Sequence, residues 1–237
     1  MDSPSENDKF KEFGFRITMC GRYGVFDNNR EWAMSNTRIT GKKSSNTLVR
    51  DLVNVGIFGA LYLVLSGLGA SIGFIPAFIV VSTCVVSLVT SVPLFLFFSK
   101  VERPLLCCVL LCTLFGIVMT ISGHGISFGL LCVVYGVLAG LCLKLFHKNF
   151  VGCLLANVMI SFVPSSMMIP LWSSTEEYLA YCSSVCDKAY IAHLAELSSS
   201  YWPLIGLFSF GAAGAVVGGF IARRVIKKHF ERIGLAQ

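Results

Sequence analysis

Six apolar runs long enough to cross a bilayer interrupt this sequence, and that feature excludes most folds. A helix needs about 20 consecutive apolar residues to span the hydrocarbon core. Such runs extend from Leu52 to Gly69, Ile72 to Phe98, Pro104 to Ser122, Ile126 to Phe146, Phe150 to Trp172 and Trp202 to Ala222. They are continuously apolar, without the alternation of a barrel strand, so they predict an all-α polytopic protein with six transmembrane helices. Composition agrees: 55% of the residues are hydrophobic and only 14% charged, against roughly 25% charged in soluble domains. A water-soluble globule is excluded, and so is disorder over most of the length.

The net charge of +6 reads as a topology signal rather than a nucleic-acid footprint. Eighteen of the 19 basic residues fall in four places: residues 1–51, Lys100 and Arg103, Lys144 and Lys148, and the tail holding Arg223, Arg224, Lys227, Lys228 and Arg232. The other three connections contain only Lys188, beside Glu176, Glu177, Asp187 and Glu196. Basic residues stay on the cytoplasmic side, so both termini are predicted cytoplasmic and three loops face outward. The expected medium is a cell membrane, crossed several times, with no nucleic-acid partner. Two outer loops are short, one around Ala70 and Ser71 and one at Ser122-Gly123-His124-Gly125. The third, Ser173 to Tyr201, is long enough to have structure of its own. Its middle, Thr175 to Leu197, lacks Gly and Pro and predicts one or two short amphipathic helices. Tyr178, Tyr181, Val185, Ala189 and Tyr190 are their expected apolar contacts, and the segment reads as a cap between helices 5 and 6.

Residues 1–47 are polar, mixed in charge and without an apolar core, so they are no secretory signal. They read as a flexible cytoplasmic extension ahead of a membrane domain at 48–237, or as an early start with Met34 the true first residue. Seven of the ten cysteines lie in or at the edges of the apolar runs, where a thiol is a small apolar filler. Cys182 and Cys186, four apart, would share a helix face, a poor geometry for a disulfide. His147 and His229 sit among basic residues. His124 stands between Gly123 and Gly125, which permit unusual backbone angles. It is either a loop histidine at the headgroup level or an imidazole aimed into a pocket.

Small residues recur four apart at Gly56 and Ala60 (with Gly59 beside them), at Gly136 and Gly140, and along Gly211, Ala215 and Gly219. Such spacing lets helix backbones approach closely in lipid. Ordinary packing accounts for the fourth and sixth spans. On the first span the same pattern also fits an external docking face.

Four strings give the chain a family likeness. These are Asp51-Leu52-Val53-Asn54-Val55-Gly56-Ile57-Phe58-Gly59-Ala60-Leu61-Tyr62, Lys100-Val101-Glu102-Arg103-Pro104, Gly123-His124-Gly125, and Lys227-Lys228-His229-Phe230-Glu231-Arg232-Ile233-Gly234. In this order, within six spans, the chain resembles the Trep_Strep family of bacterial membrane proteins, a group of substrate-binding S components of energy-coupling factor (ECF) transporters. The resemblance implies a subunit that captures a scarce micronutrient beneath its outer loops. It further implies docking through Gly56, Gly59 and Ala60 on a membrane T subunit coupled to two ATP-binding subunits, and delivery by toppling. No cofactor of its own is implied.

Some members of the family are associated with haem uptake, which makes haem the first expected cargo. His124 would be its axial ligand and His193 a second candidate, with Phe74, Phe128, Trp172, Tyr178 and Tyr181 as flat contacts. A vitamin precursor such as a thiamine-like pyrimidine is the alternative, because other S components carry flat vitamins. Aromatic residues at membrane interfaces are also ordinary anchors. An enzyme is not expected, since Glu176-Glu177 is the only acidic pair and no span holds paired ionisable groups. A membrane scaffold without transport is the remaining class.

Overall fold

The computed structural model describes residues 44–75, 78–184 and 186–232, without the side chains of residues 44–46, 74 and 229–232. All regular structure among the described residues is helical. The elements are α1 (Ser44–Ala70), a 3₁₀ turn (Ser71–Phe74), α2 (Ile79–Lys100), α3 (Pro104–Met119), a π-turn (Thr120–His124), α4 (Ile126–Leu145), α5 (Phe150–Ser166), α6 (Pro170–Ser173), α7 (Thr175–Ser183), α8 (Lys188–Ser198) and α9 (Trp202–Arg232). Residues 1–43, which hold most of the predicted extension and Met34, lie outside the described residues, as does Val185.

Five helices, α1, α2, α3, α4 and α9, are long and apolar enough to cross a membrane. The fifth predicted span departs from expectation. Its helix, α5, has 17 residues and ends at Ser166 rather than running on to Trp172. Pro170 has no N–H to give the Ser166 carbonyl, so the α-helical ladder cannot continue. The chain tightens instead, with the amides of Met167, Met168 and Ile169 donating to the carbonyls three residues back. The second predicted span is also shorter, because Ile72 to Phe74 form the 3₁₀ turn and α2 starts at Ile79. Ile75 is extended, at φ −90° and ψ 113°, the conformation a residue before a proline adopts.

The long helices close into a ring in the order α1, α2, α9, α5, α4, α3, with α2 also touching α5 across it. Glycines set the tightest contacts. A Cβ on Gly140 would stand 2.6 Å from the Leu105 Cα, and one on Gly214 would collide with the Cys84 carbonyl oxygen. These faces serve the bundle's own packing, as their spacing suggested. Buried Cys107, Cys108, Cys112, Cys132 and Cys153 pack in the core with Phe95, Phe97, Phe98, Phe115 and Phe128. Asn157 crosslinks three helices: its Nδ2 donates to the Ser91 hydroxyl at 2.8 Å and to the Ala215 carbonyl at 2.9 Å.

Candidate functional site

One end of the ring carries the 3₁₀ turn, the π-turn and the long connection. The π-turn depends on glycine. Gly123 has φ 100° and Gly125 φ 82°, values that disfavour any side chain. A Cβ on Gly123 would also come within 2.6 Å of the Tyr181 hydroxyl. Held in this turn, the half-buried His124 places Nδ1 3.2 Å from the Met119 carbonyl. A carbonyl only accepts, so Nδ1 carries the proton and the lone pair is left on Nε2. The imidazole begins a run of rings into the bundle: His124 to Phe128 at 6.1 Å, Phe128 to Phe115 at 6.3 Å, and Phe115 to Tyr62 at 5.2 Å.

The long connection forms two helices, as expected, preceded by the short α6. Their inner faces build a second core from Ile79, Leu171, Cys182, Leu194 and Leu207, with Trp172, Tyr178 and Tyr190 packed on it. Burial pushes the Tyr178 and Tyr190 phenols up, and both stay neutral at physiological pH. Trp172 donates its indole N–H to the Ser200 carbonyl at 2.8 Å, tying the start of the connection to its end. Tyr181 donates to the Ser122 carbonyl at 2.9 Å. Tyr190 donates to the Gly73 carbonyl at 3.4 Å. The connection is therefore a cap fastened to both other turns at its end of the bundle.

The predicted site residues separate. Phe128 is sealed in the main core, at 1% exposure, while Trp172 and Tyr178 belong to the cap's core. Tyr181 is exposed and reaches the π-turn. His193 is exposed too, with Nδ1 3.7 Å from Glu196 on its own helix. Ala189 is exposed rather than an apolar contact, and the Phe74 side chain lies outside the described residues. On α1, Gly56 and Ala60 share an exposed face, with nothing within 4 Å of a Cβ on Gly56. Gly59 turns inward, 3.9 Å from Leu114 by the same measure.

The opposite end is built on charge. Asp51, read from the sequence as lying just outside the first span, is inside α1 and 1% exposed. Its two carboxylate oxygens accept the Glu102 and Arg103 N–H groups at 3.0 and 3.1 Å. Those amides precede Pro104, the first residue of α3, so Asp51 caps a neighbouring helix. His147 and Lys148 take positive φ, 48° and 58°, and Lys148 turns its ammonium to the Val101 carbonyl. Burial lowers the Lys148 pKa, while nearby groups including Asp51 oppose the shift. Arg50 and Glu102 pair on the exposed rim.

Asp51 and Val101-Glu102-Arg103-Pro104 thus meet in space although they are half a hundred residues apart in sequence. A family model described as a hypothetical bacterial integral membrane protein, Trep_Strep, matches residues 49–232, which include both strings. The chain belongs to the Trep_Strep family. Like the family, it is an integral protein of a bacterial membrane and crosses that membrane several times. No curated protein and no solved structure matches it. The Asp51 cap joins two of the strings on which the resemblance was read, and a third, Gly123-His124-Gly125, forms the π-turn beneath Tyr181. Asn157 escaped the sequence reading: it is one of several polar residues in its apolar run, and nothing in its spacing sets it apart from a helix filler.

Proposed function

We propose that the chain is the substrate-binding S component of an ECF-type importer, which captures a flat micronutrient at the outer face and delivers it by toppling. The observation that carries this reading is the cap, fastened by Tyr181 and Tyr190 to both other turns at its end. A binding subunit needs such a closure over one end of its bundle. The basic residues gather at the other end, so the cap faces out and both termini lie in the cytoplasm. In this topology α5 with its tightened extension is the sixth crossing. Its 17 residues rise about 25 Å, a few ångströms short of the hydrocarbon core.

The chain has no motor in this reading and is not an enzyme. Among the described residues the only fully buried ionised side chain is Asp51, at the basic end. Energy comes from two ATP-binding subunits through a T subunit docked on the open Gly56–Ala60 face of α1. Leucine at either position is expected to abolish co-purification of the T and ATP-binding subunits while cargo binding persists. A wild-type chain that brings down neither partner would instead be a scaffold.

Haem is the first cargo to test, because the His124 tautomer leaves Nε2 free to ligate iron. Titration of the purified protein should raise a Soret band that His124→Ala removes or shifts. A vitamin precursor is the second reading. It is favoured by how much of the aromatic surface, Phe128 and Trp172 included, is already packed within the fold.

A further inference from the structure

Near its end α9 carries Arg223, Arg224, Lys227 and Lys228, four cations within six residues and no acidic residue among them. Their depth follows from the helix rise. Arg223 stands 21 residues beyond Trp202, the exposed residue that opens α9 at the cap end. At the α-helical rise that is about 30 Å, the thickness of the hydrocarbon core. Arg223 therefore lies where acyl chains give way to headgroups, in the leaflet at the basic end.

One of the four cations is held in place by a ring. The Arg223 guanidinium carbon sits 4.6 Å from the centroid of Phe150, within reach of cation–π attraction. Phe150 opens α5 and is wedged between Phe220 of α9, at 5.3 Å, and the core residue Phe95, at 6.0 Å. Stacking engages the flat face of a guanidinium, while its N–H edge is the part that meets a phosphate as a two-pronged fork. Toward the membrane centre the same edge of the bundle is uncharged. Val217, Phe220 and Arg224 follow one another on one face of α9, and Val217, Phe220 and Val151 of α5 are each about half exposed. An apolar strip thus runs into the cations.

We infer that this edge, where α9 meets α5, is a binding site for one anionic phospholipid. Arg223, with Arg224 beside it and Lys227 one turn on, takes the phosphate, and Val217, Phe220 and Val151 take the acyl chains. A single ligand of this kind uses both halves of the patch. A soluble phosphate compound has no use for the apolar strip, and a zwitterionic lipid brings a cation of its own against the cluster. Basic segments attract anionic headgroups in general. What marks this one is an arginine fixed by an aromatic ring at the boundary itself. The inference does not rest on the importer reading.

The test places the full chain in nanodiscs of phosphatidylcholine with increasing phosphatidylglycerol. Native mass spectrometry counts the lipids retained, and thermal melts follow stability. The wild type keeps one phosphatidylglycerol in preference to phosphatidylcholine, and its melting temperature rises with the anionic fraction. Arg223→Gln weakens that preference by roughly ten-fold. Arg223→Lys keeps the charge but loses the fork and the stack, and it weakens the preference several-fold. Lys144→Gln removes an exposed charge from the last turn of α4 and leaves the preference unchanged. Each variant's rise in melting temperature is read against its own value in pure phosphatidylcholine, so a general loss of stability does not enter. Equal preference in Arg223→Lys and the wild type overturns the inference, because diffuse charge then suffices, and an equal loss in Lys144→Gln and Arg223→Gln overturns it too. Glycerophosphoglycerol, the same headgroup without chains, should not displace the lipid at millimolar concentration. If it does, the site is one for free phosphate and the lipid assignment fails.

Discussion

The two ends of this bundle are fastened by different chemistry. At the basic end a buried carboxylate, Asp51, holds two backbone amides of the next connection, and Lys148 is turned inward from a strained corner onto the same connection. At the cap end two neutral phenols reach single carbonyls, one of them at 3.4 Å. Charge-assisted bonds are roughly twice as strong as neutral ones. Breaking a buried one also strands a charge, whereas a freed tyrosine hydroxyl can turn to water. The polar fastening of the basic end is therefore the stronger of the two, while the cap end relies more on its apolar core.

Four measurements would break or sharpen that contrast. Asp51→Ala has the largest expected effect. It removes the acceptor for both the Glu102 and Arg103 amides and destabilises the protein by about 3 kcal/mol, read as thermal unfolding in detergent. Gly123→Ala comes next. It forces a side chain into a positive-φ position and against the Tyr181 ring, at about 2 kcal/mol, with the loss concentrated in the cap and seen as faster amide exchange in α7. Replacing Tyr181 and Tyr190 with phenylalanine costs only about 1 kcal/mol for each bond but should speed cargo exchange. If the double variant unfolds as readily as Asp51→Ala, the two ends do not differ.

The smallest effect is a pH dependence. Because burial lowers the Lys148 pKa, the unfolded chain holds that proton more tightly than the folded one. The Lys148 contribution to stability therefore rises with pH toward its ordinary value of about 10.4. Lys148→Met should flatten that rise between neutral pH and pH 10 in thermal melts. A wild type and variant with parallel profiles would show that Lys148 is not held inside the fold.

Much of this architecture was legible because lipid imposes simple demands. Five of the six apolar runs became helices long enough to span, and the Gly-His-Gly turn fell where the positive-φ glycines are needed. The end of the fifth run was misread, since apolarity is silent about where a helix stops, and Pro170 ends α5 by withholding one amide. Gly59 and Gly56 looked alike in sequence. Three residues apart, they are offset by about 60° around the helix axis, which sends one into the bundle and leaves the other open.

The candidate site was less legible. Of the residues suggested as cargo contacts, Phe128 is sealed in the core and His193 is exposed. Asp51 was visible as part of a string, yet its role as the cap of another helix could not be read along the chain.

Hydrophobicity along the chain was enough to settle the solvent, the helical class and the multiple crossings, since a backbone in hydrocarbon must satisfy its own hydrogen bonds locally. Which faces meet and what holds each end shut are matters of contact between residues far apart in sequence. They were decided only when the ring of helices closed.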